Sequence, residues 1–71
     1  MRLKHILTKP ALIEYRTKLP NGEDIFAGEC KYTKDGKLLA MDGDSYSLED
    51  EIVHYEIAEL PYEQQIITVW Y

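Results

Sequence analysis

The sequence predicts a small α+β domain: a short N-terminal helix followed by a five-stranded antiparallel β-meander. Three observations carry this prediction. Apolar and polar residues alternate at period two in successive short runs, glycine turns of hairpin type separate the first of these runs, and helical spacing is confined to the opening residues. Seventy-one residues make one domain, spanning 1–71. A chain this short buries only about 60% of the surface its unfolded form exposes, so its stability margin is thin.

Leu3, Ile6 and Leu7 recur at helical spacing, and Pro10 disfavours helical geometry at Lys9, so residues 2–8 read as a short helix; a strand placing Leu3, His5 and Leu7 on one face is the alternative. In Leu12–Leu19 the residues Ile13, Tyr15, Thr17 and Leu19 face one way and Glu14, Arg16 and Lys18 the other, as a half-buried strand requires. Pro20-Asn21-Gly22 supplies a turn, because proline fixes φ and Asn-Gly tolerates positive φ. The chain returns through Asp24–Thr33 with Phe26, Gly28, Cys30 and Tyr32 on one face. Lys34-Asp35-Gly36 turns it again into a shorter strand, Leu38–Met41. After an acidic connection, Val53, Tyr55 and Ile57 alternate with His54 and Glu56 in a fourth strand, and Leu60–Gln64 is a loop. In the last strand Ile67, Val69 and Tyr71 alternate with Ile66, Thr68 and Trp70, so it is apolar on both sides. That pattern fits an interior strand or one covered by the helix. The five strands either curl into an SH3-like half-barrel or pack flat under the helix.

Charge is segregated along the chain. The first twenty residues carry a net +4, whereas Leu38–Tyr71 contains no lysine or arginine and eight carboxylates. The total is −5. A concentrated acidic field attracts basic partners and disfavours direct nucleic-acid binding, which needs the opposite sign. Cys30 stands alone, which excludes an internal disulfide and a cysteine-based zinc cluster and suits a reducing, cytoplasmic compartment. No run approaches the roughly 18 apolar residues of a membrane span, and no signal-peptide pattern opens the chain.

Catalytic and cofactor signatures are weak. Aligned on a calcium loop, Asp42–Val53 fails, because Ser47 stands where glycine is needed and Val53 where the bidentate glutamate belongs. Asp42-Gly43 reads instead as a turn and Ser47-Leu48-Glu49-Asp50 as a capping box around one helical turn. His54 and Glu56 share a strand face and suit an acid–base or metal pair, yet no further histidine or cysteine lies at ligand spacing. Ser45, Ser47 and Cys30 lie in no nucleophile elbow, and no glycine-rich loop opens a helix. The expectation is a non-enzymatic protein without cofactor.

The residues singled out for partner binding are Asp42, Asp44, Tyr46, Glu49, Asp50, Glu51, Glu56, Tyr62 and Glu63. Carboxylates two apart on an extended segment, as in Glu49 and Glu51 or Asp42 and Asp44, stand about 6.6 Å apart, close to the step between successive phosphates of a nucleic-acid strand. Tyrosine is a frequent interface anchor, so Tyr46 and Tyr62 beside the acids would form a binding rim. With its opening helix at MRLKHILT, its Asn-Gly and Asp-Gly hairpins and its acidic latter half, the chain resembles the small accessory proteins of phages and mobile elements. That class includes anti-CRISPR and anti-restriction inhibitors. The resemblance is one of architecture, and it implies an acidic inhibitor that mimics DNA and occupies the basic nucleic-acid-binding surface of a host defence protein such as a nuclease. The competing expectation is a homo-oligomer, structural or binding a small ligand between subunits, in which a twin chain covers an edge or aromatic face of the sheet.

Overall fold

The computed structural model describes residues 1–61 and 64–71, and it contains five strands: β1 Ala11–Lys18, β2 Asp24–Tyr32, β3 Leu38–Ala40, β4 His54–Glu59 and β5 Gln65–Trp70. All five join one open sheet in the order β3-β2-β1-β5-β4. The first three form the expected meander, closed by turns in which Gly22 and Gly36 adopt φ of 89° and 84°. A side chain at either position would be strained there.

Beyond β3 the topology departs from a meander. Residues 41–53 cross to the opposite side of the sheet, β4 forms the far edge, and β5 fills the gap between β4 and β1. It runs antiparallel to β4 and parallel to β1, pairing Ile13 with Ile67 and Tyr15 with Val69. The sheet is therefore mixed rather than all antiparallel. The physical reason is the two-sided apolar character of β5, which suits a central strand with a neighbour on each edge.

The N-terminal helix is shorter than expected. Only Leu3–Ile6 is helical, as a single 3-10 turn. The reason is that its flanks pair with the crossover instead. Arg2 bridges Glu51, Leu3 N–H donates to the Asp50 carbonyl at 2.9 Å, Lys4 N–H to the Leu48 carbonyl at 2.9 Å, and Ile52 N–H to the Met1 carbonyl at 2.7 Å. Within the crossover the expected capping box is a tight turn. Ser47 N–H donates to Asp50 Oδ2, Glu49 N–H to Ser47 Oγ, and Asp50 N–H to the Ser47 carbonyl.

These two segments form a lid over one sheet face. Leu3, Ile6 and Ile52 from the lid bury Ala11, Ile13 and Tyr15 of β1, Cys30 of β2, and Ile67 and Val69 of β5. Four residues expected to face inward, Phe26, Val53, Tyr55 and Ile57, are exposed. In β2 the register slips between Tyr15, opposite Gly28, and Arg16, opposite Phe26, which leaves Ala27 as an extra residue. This bulge turns Phe26 to the other face, where it is 53% exposed. In β4, Tyr55 and Ile57 share the lid's face but stay exposed, and Val53 is 82% exposed, because the lid covers the middle of the sheet and not this edge. No described helix is long and apolar enough to cross a membrane.

Charged side chains fasten the lid. Glu49 pairs with Lys4 at 2.7 Å and with Arg2, and Glu51 with the N-terminal ammonium at 3.2 Å and Arg2 at 3.5 Å; outside the lid, Lys9 before β1 pairs with Glu59 at the end of β4 at 2.9 Å. Each exposed pair contributes little alone, but Arg2 links two of them. All three glutamates are held below their ordinary 4.5, Glu49 by Lys4 and Arg2, Glu51 by the N-terminal ammonium, Glu59 by Lys9. A carboxylate lowered in the folded state stabilises it above the unfolded value, and the contribution disappears as pH falls through the folded value. The urea midpoint is therefore expected to stay level from neutral pH down to about 4.5 and to decline below it; a midpoint independent of pH in that acid range would show that these pairs do not stabilise the fold.

Candidate functional site

A cleft opens where the crossover meets the bulged end of the β1–β2 pair. β1 presents Tyr15 on the lid face, and Gly28 stands directly opposite on β2. The missing side chain leaves room above β2, which Tyr46 of the crossover fills. A Cβ on Gly28 would collide with the Tyr46 hydroxyl. The Tyr46 ring lies tilted against Tyr15 at 4.8 Å between centroids, and Tyr71, just after β5, meets Tyr15 edge-on at 5.7 Å. Asp44, Asp50 and Glu51 complete the walls of a cavity of about 400 Å³, with Ala27 and Ser45 between them.

The carboxylates orient the rings. Tyr15 O–H donates to Asp50 Oδ2 at 3.0 Å, and the same oxygen accepts Ser47 N–H at 2.9 Å. Tyr46 O–H donates to Asp42 Oδ2 at 2.7 Å, and Asp42 also accepts the N–H groups of Glu29 and Asp44. Burial, then the hydrogen bond to the acid, pushes both phenols above their ordinary range. Asp42 in turn is held below the usual carboxylate value, chiefly by the Tyr46 hydroxyl. Both hydroxyls are thus turned away from solution chemistry, and the rings serve as apolar walls beside negative charge. Such a lining accommodates a cation, through ring quadrupoles and carboxylates together. Cys30 lies in the core and burial pushes its thiol up to about 12, so it packs as a small hydrophobe.

Of the residues singled out in the sequence, the fold brings Asp44, Tyr46, Asp50 and Glu51 together at the cleft and places Asp42 behind Tyr46. Glu49 is separated from them, committed to Lys4 and Arg2. Glu56 lies on the sheet's other face, 3.5 Å from His54, whose ring sits 5.0 Å from Trp70. Tyr62 and Glu63 fall outside the described residues. Tyr46 is half-buried against the core rather than an exposed rim residue. Sequence reasoning assigned Tyr15 and Tyr71 to core packing; Tyr15 is in the core, and its ring also lines the cleft, whereas Tyr71 lines the cleft and is 57% exposed. The signal available was Gly28 opposite Tyr15, a gap in an otherwise filled face.

No family model, no curated protein and no solved structure matches the chain.

Two substitutions test this architecture. Tyr15→Phe removes the donor to Asp50 and should lower unfolding free energy by about 1.5–3 kcal/mol, the range for a hydrogen bond to a charged group. Gly28→Ala should cost about 1–3 kcal/mol through overpacking and displace Tyr46, seen as a changed near-ultraviolet dichroism. Wild-type stability in either variant would mean that the rings are not held as described.

Proposed function

We propose that this protein is a non-enzymatic interaction module that receives a cationic side chain from a basic protein surface in the cleft of Tyr15, Tyr46 and Tyr71. The observation that carries the reading is one cavity walled by three tyrosines and three carboxylates. A lysine or arginine entering it would meet ring surfaces for its aliphatic stem and carboxylates for its head. The basic nucleic-acid-binding surface of a host defence protein, engaged by an acidic inhibitor of phage type, is the partner class we favour, because the chain carries −5 overall and a basic groove offers such side chains in number.

This narrows the acidic reading from a whole carboxylate face to one cleft. Glu49 lies in the tight turn rather than on an extended segment, and Glu49 and Glu51 are already paired with Arg2, Lys4 and the N-terminal ammonium, so imitating a phosphate backbone with them would require opening that turn and exchanging those partners. For the same reason, reversing Glu49, Asp50 and Glu51 to lysine tests folding rather than binding.

The informative variants leave the lid intact. Asp44 is fully on the surface and Tyr71 is 57% exposed. Titration calorimetry with an arginine- and lysine-rich peptide should show binding to the wild type that is weakened about tenfold, or about 1.4 kcal/mol, by Asp44→Lys or Tyr71→Ala. The far-ultraviolet dichroism should not change. Equal affinity in wild type and both variants would remove the cleft as the binding site.

A further inference from the structure

We propose that the free edge of β4 is a homodimer interface, at which two copies join antiparallel about a two-fold axis through Ile57 to make one continuous ten-stranded sheet. The inference is independent of the cleft reading and starts from the backbone. β4 is the last strand of the sheet, paired with β5 on one side and with no described element on the other. Leu60 N–H donates to the Gln64 carbonyl at 2.8 Å. Since hydrogen-bonded and non-bonded pairs alternate along an antiparallel ladder, Ala58, Glu56 and His54 turn their main-chain groups toward β5. Tyr55, Ile57 and Glu59 therefore turn both N–H and C=O to the open edge.

Edge strands in monomeric proteins are commonly interrupted by proline, lysine or a bulge. Residues 54–59 contain no proline or lysine, and their register with β5 is unbroken; their charges are Glu56 and Glu59, and the ladder's one irregularity among the described residues lies just before the strand, where Val53 N–H also donates to the Trp70 carbonyl at 2.7 Å. The opposite edge, β3, is only three residues long. β4 also has exposed apolar side chains beside it, Ile57 at 43% and the neighbouring Val53.

Self-complementarity fixes both the occupant and the register. With Ile57 opposite its own twin, Tyr55 meets Glu59 of the second copy, and all three outward-turned residues find outward-turned partners, so each pair exchanges both hydrogen bonds. In this register Glu56 meets Ala58, and no glutamate faces a glutamate. Sliding by one step to centre on Glu56 opposes two like charges and leaves Glu59 without a hydrogen-bonded partner. Centring on Ala58 instead leaves Tyr55 unpaired. A second copy of the chain in the Ile57 register is thus the occupant whose backbone and charge pattern both fit.

Sedimentation equilibrium should find a dimer that dissociates on dilution. Ile57→Pro removes an N–H turned away from β5, so it should abolish the dimer while leaving the far-ultraviolet dichroism of the monomer unchanged. Ile57→Cys gives an independent measurement: mild oxidation should join two chains, because twins at the axis lie about 5.5 Å apart, within disulfide reach. Val53→Cys should not, since its twin lies about 26 Å away in this register. Wild-type protein that sediments as a single chain up to millimolar concentration would overturn the proposal. So would a dimer that survives Ile57→Pro, or cross-linking of the Val53→Cys variant but not of the Ile57→Cys variant.

Discussion

The antiparallel pairing of residues 1–4 with 48–52 is the constraint on which the rest of the molecule depends. A five-stranded sheet of this size has one face to bury and no long helix to cover it, so the cover is assembled from two irregular segments that satisfy each other's backbone groups. Through it Ile52 reaches the core beside Leu3 and Ile6. The same pairing anchors the crossover between β3 and β4, and thereby sets Tyr46 over Gly28 and Asp50 against Tyr15. Core, crossover and cleft share one fastening.

Electrostatics follow from that fastening. The basic opening and the acidic latter half, far apart in sequence, meet in the fold: Arg2 and Lys4 find Glu49 and Glu51 across the lid, and Lys9 finds Glu59 at the end of β4. Much of the apparent one-sign field is therefore neutralised locally. What remains near the cleft is a smaller set: Asp44 at the surface, Asp50 committed to hydroxyl and amide donors, and Glu51 shared with the chain's own ammonium. A carboxylate's availability depends on its spatial partners and not on its count in a segment.

Local chemistry was legible in the sequence, and long-range pairing was not. Period-two alternation located all five strands to within a residue or two, and Asn21-Gly22 and Asp35-Gly36 marked the hairpins, because turn geometry and pleat are properties of adjacent residues. The apolar character of both faces of β5 pointed to a central strand, but not to a parallel partnership with β1, which depends on where the crossover lands. The bulge at Ala27 had a single local signal, the isolated Gly28 inside a strand pattern, and it reversed the assignment of Phe26. At the site, Asp44, Tyr46, Asp50 and Glu51 were found as an acidic loop. Tyr15 and Tyr71 were not, because a tyrosine on a buried face reads as packing unless the empty position opposite it is noticed.

The place of β5 in the sheet also governs how the molecule comes into being. This strand, Gln65–Trp70, is the last of the five to be synthesised, and both β1 and β4 depend on it for a partner. The β1–β2–β3 hairpins form from neighbouring residues, yet β1 keeps an open edge until the other four strands have all been made. Closing the β1–β5 ladder joins segments far apart in sequence, a loop whose entropy must be overcome before its contacts stabilise anything. The sheet consequently reaches its final order only once β5 has emerged, in one late step. Until then its aggregation-prone edge is that of β1, buried at the centre of the finished sheet.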